Sequence, residues 1–296
     1  MKSPLRYPGG KTRAVDTLMK FIPDDCGELC SPFLGGGSFE LALVEKGITV
    51  HGYDAFKPIV WFWQTLLKKP EQLAATARSF RRLQLYDYDK TKDPFRERGL
   101  RKKDFLRFKE EIAFALERGH APTIELAAKV YALNRSSFSG ATLTGGYSAE
   151  ASCKRFTESR IDEMANFKVD NFTVRCADFK KAIKNHDCYL YLDPPYFMPP
   201  GSDNYYGMSG DMHKGFEHLA LFSLLRKRDN WILSYRDCEE IRTLYQDYQI
   251  HKVEWTYGMN KTKESTEIVI TNLPQRKVYV TIENNQGEQY AEKGQD

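Results

Sequence analysis

Asp193-Pro194-Pro195-Tyr196 is the segment of this 296-residue chain whose residue types most clearly define a chemistry. It follows Cys188–Leu192, a short apolar run that reads as a strand. Two consecutive prolines fix φ and remove two backbone donors, so the turn is stiff and presents free carbonyls. A carboxylate and a neighbouring carbonyl can together hold both hydrogens of one exposed amino group. An aromatic ring three residues after the aspartate can stack on the flat ring bearing that amine. An exocyclic amine is a poor nucleophile because its lone pair is conjugated. Two acceptors on its hydrogens favour the pyramidal geometry that frees the pair to attack a methyl group. Orientation and electrostatics in a dry pocket supply the rest.

A second segment, Ser31-Pro32-Phe33-Leu34-Gly35-Gly36-Gly37-Ser38-Phe39-Glu40, also lies between a strand signal and a helix. Glycines let a backbone approach a ligand closely, and a helix start offers free N–H groups. The pattern departs from G-x-G-x-x-G by placing Glu40 at the third glycine. Asp54 ends the next strand, where an acidic side chain can grip both hydroxyls of a ribose. Together they suit an adenosine-containing ligand without saying which. Leu5-Arg6-Tyr7-Pro8-Gly9-Gly10-Lys11-Thr12 ends like a phosphate loop, but Leu5 stands where the first glycine belongs. This, with too few residues before it for a strand, argues against an ATPase. Cys176-Ala177-Asp178-Phe179 follows another strand and could line the adenine end of the same ligand, or simply end that strand.

These segments need elements to hold them. Strands are expected at 28–30, 48–53, 172–176, 188–192, 231–235, 250–255 and 267–271, and helices at 13–21, 37–46, 58–67, 218–226 and 239–245. The alternation predicts an α/β fold with a mostly parallel sheet whose ligands bind beyond the carboxyl ends of the strands. The last two strands, lacking a helix between them, predict an antiparallel edge hairpin. From 68 to 167 the alternation breaks, with helices expected at 73–85, 104–116 and 124–133, then a Ser/Thr/Gly run over 136–148 read as an exposed hairpin or loop. Beyond about Asn284 the chain reads as a disordered polar tail.

The net charge of +4 is unevenly spread. Residues 64–160 carry 20 lysines and arginines against 12 aspartates and glutamates, so that stretch is strongly basic and the remainder mildly acidic. A nucleic-acid-facing insertion in a catalytic body would show this asymmetry, as would an ordinary solvated helical face. Six scattered cysteines without a Cys-x-x-Cys pair or histidines at ligand spacing argue against structural zinc and fit a reduced, cytoplasmic setting. No apolar run reaches the length of a membrane helix, and the N-terminus lacks a signal-peptide pattern.

Tyr-Pro-Gly-Gly-Lys, Ser-Pro-Phe-Leu-Gly-Gly-Gly, Tyr53-Asp54 and Asp-Pro-Pro-Tyr, in this order, resemble the Dam-like family of DNA adenine methyltransferases. Asn134-Arg135-Ser136-Ser137-Phe138-Ser139-Gly140 is similar to the segment opening that family's target-recognition hairpin. The likeness runs from Leu5 to about Asn272. It implies a Rossmann-like methyltransferase sheet, over 1–67 and 168–275, with a mainly helical target-recognition domain inserted at 68–167 and a C-terminal strand and polar tail at 276–296. S-adenosyl-L-methionine would be the cofactor and double-stranded DNA the partner. Tyr7 and Lys11 would line the cleft, Phe33, Gly35 and Gly37 would wall the methionine part, and Asp54 would hold the ribose. Asp178 and Phe179 would meet the cofactor adenine. Asp193, Pro194 and Tyr196 would grip a flipped target base, Asp193 also bordering the cofactor. Arg135, Ser137, Tyr147, Lys102 and Lys103 are the expected DNA contacts. Ser31 stands where relatives commonly carry an acidic residue, and Tyr7 where some carry tryptophan.

Four rival functions stay open on residues alone. The turn would hold any planar amine, so N4 of cytosine, or RNA in place of DNA, competes with adenine. An NAD-dependent oxidoreductase would use the glycine loop and Asp54 but leave Asp193–Tyr196 without a task. A silent nucleic-acid-binding module needs no such turn. A monomer in the cytoplasm of a prokaryotic or phage-infected cell is expected, with a cognate restriction endonuclease as a further partner.

Overall fold

The computed structural model describes residues 1–86, 95–197, 216–253, 267–272, 279–284 and 287–292. A 3-10 turn at Lys11–Arg13 leads into α1 (Val15–Met19), β1 (Glu28–Ser31), α2 (Ser38–Glu45), β2 (Thr49–Asp54) and α3 (Lys57–Lys68). The inserted stretch holds α4 (Pro70–Ser79), β3 (Arg82–Tyr86), β4 (Phe95–Gly99), α5 (Lys102–Glu117), α6 (Ile124–Ser136), α7 (Ala149–Lys154) and α8 (Glu158–Ala165). The chain then returns through β5 (Phe172–Cys176), α9 (Phe179–Lys184), β6 (Tyr189–Leu192), α10 (His218–Leu225), β7 (Trp231–Arg236) and α11 (Glu239–Leu244). It closes with β8 (Gln249–Val253), β9 (Glu267–Asn272), β10 (Tyr279–Asn284) and β11 (Gly287–Glu292). The two positions expected to extend β8, 254 and 255, lie outside the described residues.

Seven strands form one sheet in the order β5-β2-β1-β6-β7-β9-β8. The first five pair in parallel, and β9 runs antiparallel to both β7 and β8. The chain leaves β1 towards β2 and β5 on one side, then returns to build β6 and β7 on the other. The β1/β6 boundary is therefore a topological switch point, where the loops after two adjacent strands diverge and leave a crevice. The glycine loop follows β1 and the Asp-Pro-Pro-Tyr turn follows β6.

Side-chain alternation along the strands makes three layers. Leu29, Val50, Phe172, Tyr191 and Val269 face a core shared with α1, α2 and α3. Cys30, Tyr53, Leu190, Leu233 and Ile270 face a second core closed by α9, α10 and α11. The first core runs on without a break into the inserted stretch. Residues 127–136 of α6 are all buried, and Tyr131 stacks on Phe62 of α3 with ring centroids 5.7 Å apart.

Three local expectations are corrected. The helix expected over 73–85 ends at Ser79; Leu83 and Leu85 alternate with polar neighbours, a strand period, and β3 pairs antiparallel with β4. The 136–148 run is not an exposed loop. Ser136, Ser137, Gly140, Thr142, Leu143 and Gly145 are buried, and Phe138 and Gly146 alone in the run are exposed. The expected disordered tail contains β11, paired residue for residue with β10. Two short helices, α7 and α8, were not anticipated.

Candidate active site and nucleic-acid interface

The glycine loop takes its shape from contacts on both sides. Gly35 adopts φ +47°, and a Cβ there would stand 2.6 Å from the Tyr7 ring. Trp63 of α3 donates its indole N–H to the Gly35 carbonyl at 3.0 Å. The Gly35 N–H in turn donates to Asp54 Oδ2 at 2.8 Å, while Asp54 Oδ1 accepts from Phe56 N–H at 2.8 Å. Asp54 is therefore both a loop anchor and a wall of the cleft. Burial pushes its carboxyl up to about 6 against those two hydrogen bonds.

Tyr7, Lys11, Phe33, Gly35, Gly37, Asp54, Asp193, Pro194 and Tyr196 all line one cleft of about 240 Å³ at the switch point. Nine of the eleven residues named from sequence for catalysis or cofactor binding are thus brought together; the other two are Phe179, one ring away, and Asp178. Phe179 stacks on Phe33 at 5.6 Å, extending the aromatic wall. Asp178 lies outside the lining; it caps α9, its Oδ1 accepting from Lys180 N–H at 2.8 Å.

At the other end of the cleft Lys11 is almost fully buried and gathers the polar groups. Its Nζ lies 2.6 Å from the Tyr196 hydroxyl, 2.9 Å from Asp193 Oδ1 and 3.6 Å from Glu267 Oε2. Burial opposes the charge, but Asp193 and Glu267 outweigh it and hold the ammonium above the usual lysine range. The Tyr196 hydroxyl donates to Asp193 Oδ1 at 3.2 Å, and its ring stacks on Tyr235 at 5.5 Å. Burial, helped by Asp193, holds the Tyr196 phenol well above its ordinary value, so the ring remains neutral.

Two carboxyls in this region were not singled out for chemistry from the sequence. Glu40 on α2 is buried in the cleft wall and accepts from Ser31 Oγ at 2.7 Å; burial pushes it up to about 7. The acidic group absent at position 31 is thus supplied nine residues later. Glu267 opens β9, and burial likewise pushes it to about 7 although Lys11 opposes this. A carboxylate one helical turn past a glycine loop was a readable signal for Glu40. Nothing local marks Glu267.

The expected DNA contacts separate into three kinds. Lys102 and Lys103 are exposed at the start of α5. Lys103 lies with Arg82, Arg101 and Arg107 around a shallow depression. Tyr147 is half-buried and donates its hydroxyl to the Leu100 carbonyl at 3.0 Å. Ser137 and Arg135 are buried: Arg135 donates Nε to the Arg155 carbonyl at 2.8 Å and Nη1 to the Pro4 carbonyl at 3.4 Å. Arg135 therefore braces the backbone in this structure and is not presented to solvent. Asn134 beside it accepts from Arg6 N–H at 2.9 Å and donates to the Arg6 carbonyl at 2.6 Å and the Gly140 carbonyl at 2.9 Å. This clasp ties the segment carrying Tyr7 and Lys11 to the inserted stretch.

Glu28, His51 and His186, far apart in sequence, also converge, their potential ligand atoms within 4.8 Å. They are already engaged: His51 Nε2 meets Glu28 Oε1 at 2.6 Å, and His186 Nε2 meets the Tyr53 hydroxyl at 2.8 Å.

A switch-point cleft with a glycine loop on one wall and a stiff Asp-Pro-Pro-Tyr turn on the other is the architecture of a group-transfer enzyme. A family model described as D12 class N6 adenine-specific DNA methyltransferase matches residues 7–259. The chain belongs to that family. It is similar to a Type II methyltransferase, M1.LlaDCHI, of Lactococcus lactis subsp. cremoris, with 22% identity over 289 residues, covering 90% of this chain and 94% of the relative. It is also similar to the DNA N-6-adenine-methyltransferase of Escherichia phage P1, with 24% identity over 258 residues, covering 83% of this chain and 31% of that protein. Among the described residues no helix is long and apolar enough to cross a membrane.

Proposed function

We propose that this protein transfers the methyl group of S-adenosyl-L-methionine to N6 of an adenine flipped out of double-stranded DNA, at a specific sequence. The observation that carries the reading is the meeting of Asp193, Pro194 and Tyr196 with the glycine loop in one cleft at the β1/β6 switch point. The cofactor supplies an electrophilic methyl group. Its fit rests on this chain's own groups: Asp54 faces the place of a ribose, and Gly35 and Gly37 keep the wall free of side chains. Glu40 offers a buried carboxyl to the cofactor's ammonium. Phe33 and Phe179 offer an apolar surface to its adenine, with Asp178 at that end.

On the DNA side, Asp193 and the Pro194 carbonyl accept the two amine hydrogens while Tyr196 stacks on the base. An amine within a stacked pair cannot reach this recessed turn, so the nucleotide must leave the helix. Phe138, 69% exposed beside the Asn134 clasp, is placed to fill the space the base vacates. Arg6 Nη1 is buried without a hydrogen-bond partner among the described residues, a donor suited to an acceptor on DNA. Lys102, Lys103 and the neighbouring arginines provide the phosphate-facing surface. DNA contact through Ser137 and Tyr147 is indirect, by holding this turn. We take residues 68–167 as the recognition insertion and the chain as a cytoplasmic monomer, with a cognate endonuclease as its partner in a restriction system.

Equilibrium dialysis with labelled S-adenosyl-L-methionine and NAD, followed by methyl incorporation into DNA, tests this reading. Saturable S-adenosyl-L-methionine binding with label transferred to duplex DNA is expected; binding of NAD alone would overturn it.

A further inference from the structure

Glu267 holds a position that amine-gripping does not explain. Because β9 runs antiparallel, its first residue lies beside Arg236 at the carboxyl end of β7, which brings Glu267 to the edge of the cleft. Glu267 is 2% exposed; no full hydrogen bond reaches its carboxylate oxygens among the described residues, and the Tyr196 hydroxyl and Lys11 are donors that face it. Lys11 Nζ, 3.6 Å away, is the nearest charge of opposite sign among the described residues. The groups facing it are Lys11 from the N-terminal turn and Asp193 and Tyr196 from the turn after β6; its register partner Arg236 is exposed. A buried and a half-buried carboxylate, Glu267 and Asp193, therefore share one ammonium, and Asp193, at 2.9 Å, holds it more closely. An uncompensated buried charge is costly, so the cluster readily takes up one proton, and Glu267 is the site left open for it.

The reaction of the proposed function, on which this inference rests, releases one proton. As the amine nitrogen bonds to the methyl carbon, the methyl–sulfur bond breaks with its electron pair remaining on sulfur. The nitrogen then carries a positive charge and must lose a hydrogen. We propose that Glu267 is the terminal store for this proton, reached from the amine through Asp193 and Lys11. Asp193 takes the proton from nitrogen and passes it to Lys11 as Lys11 Nζ gives one of its own to Glu267. Asp193 and Lys11 return to their starting states, and the methylated amine is neutral. Glu267 is thus a positioning residue for the proton, distinct from the groups that touch the base.

Glu267 must be ionised before each turnover, so the rate must rise with pH through the titration of the cluster. Single-turnover methylation as a function of pH, with Glu267→Gln and Glu267→Asp, is the test. Glu267→Gln is expected to lose the rising limb and about 100-fold in rate at alkaline pH, while binding cofactor and DNA normally. Glu267→Asp is expected to restore the limb. Infrared titration of the apoprotein gives a second readout: a protonated-carboxyl band that disappears as pH rises and that loses intensity in Glu267→Gln, where only the Glu40 and Asp54 contributions remain. A Glu267→Gln protein that keeps the wild-type rate and limb, or an unchanged infrared titration, would overturn the proposal. A wild-type protein that transfers no methyl group to adenine would instead sink the functional reading and this inference with it.

Discussion

Lys11 Nζ stands 2.9 Å from Asp193 Oδ1, joining the N-terminal turn to the end of β6 across nearly the whole intervening chain. The contact fixes the position of the Asp193 carboxylate. Replacing Lys11 with methionine would leave the buried Glu267 without its counter-ion, raising its proton affinity, and would remove the tether on Asp193. Methyl transfer should fall about 100-fold near neutrality, with partial recovery as pH is raised. A single-turnover pH series on Lys11→Met checks both parts.

Stability should also respond to pH. Glu40 and Glu267 are each raised from the ordinary carboxyl range to about 7 in the folded state, chiefly by burial. A raised folded value means the folded state holds the proton more tightly than the unfolded chain. That stabilisation is complete below the unfolded carboxyl range and is lost as pH rises through about 7. Thermal unfolding should therefore show a falling midpoint over that window. Glu40→Gln and Glu267→Gln should each remove part of the slope, being relatively more stable at alkaline pH by about 1–3 kcal/mol.

Asn134→Ala should uncouple the N-terminal segment from the insertion. It leaves Arg6 N–H without its 2.9 Å acceptor and removes the donors to the Arg6 and Gly140 carbonyls. A cost of about 1–3 kcal/mol is expected, together with weaker cofactor binding because Tyr7 and Lys11 lose their tether. Denaturant titration and cofactor calorimetry measure the two effects.

The structure divides the basic residues into phosphate-facing and structural groups. Replacing Lys102 and Lys103 by alanine should lower DNA affinity alike for all sequences and reduce the salt slope by about 2, with unfolding unchanged. Arg135→Ala should act mainly on stability, since its guanidinium is buried on the Arg155 and Pro4 carbonyls. Fluorescence anisotropy across a salt series and thermal melts of both variants check the division.

The parallel sheet was legible because its strands are short β-branched and aromatic runs ending at chemically distinctive turns. The cleft was legible because Gly35, Asp54 and Asp193 each sit at such an end. The inserted stretch was harder to read. Its Ser/Gly run is polar in composition yet buried, since Asn134, Ser137 and Thr142 hydrogen-bond one another's surroundings from within. Polarity signals exposure only when the polar groups lack internal partners. Arg135 was misleading for the same reason. Glu267 was invisible because only the antiparallel return of β9 brings it to Lys11, and no local spacing encodes that.

Methylation of an adenine amine held by the Asp193 turn is the step on which the proposed function rests. The most direct measurement is nucleoside analysis by mass spectrometry of DNA from cells expressing the wild-type protein or Asp193→Ala. N6-methyladenine should accumulate with the wild type and be absent with Asp193→Ala, the variant remaining folded and able to bind DNA. N4-methylcytosine in place of N6-methyladenine, or equal N6-methyladenine from both proteins, would contradict the account.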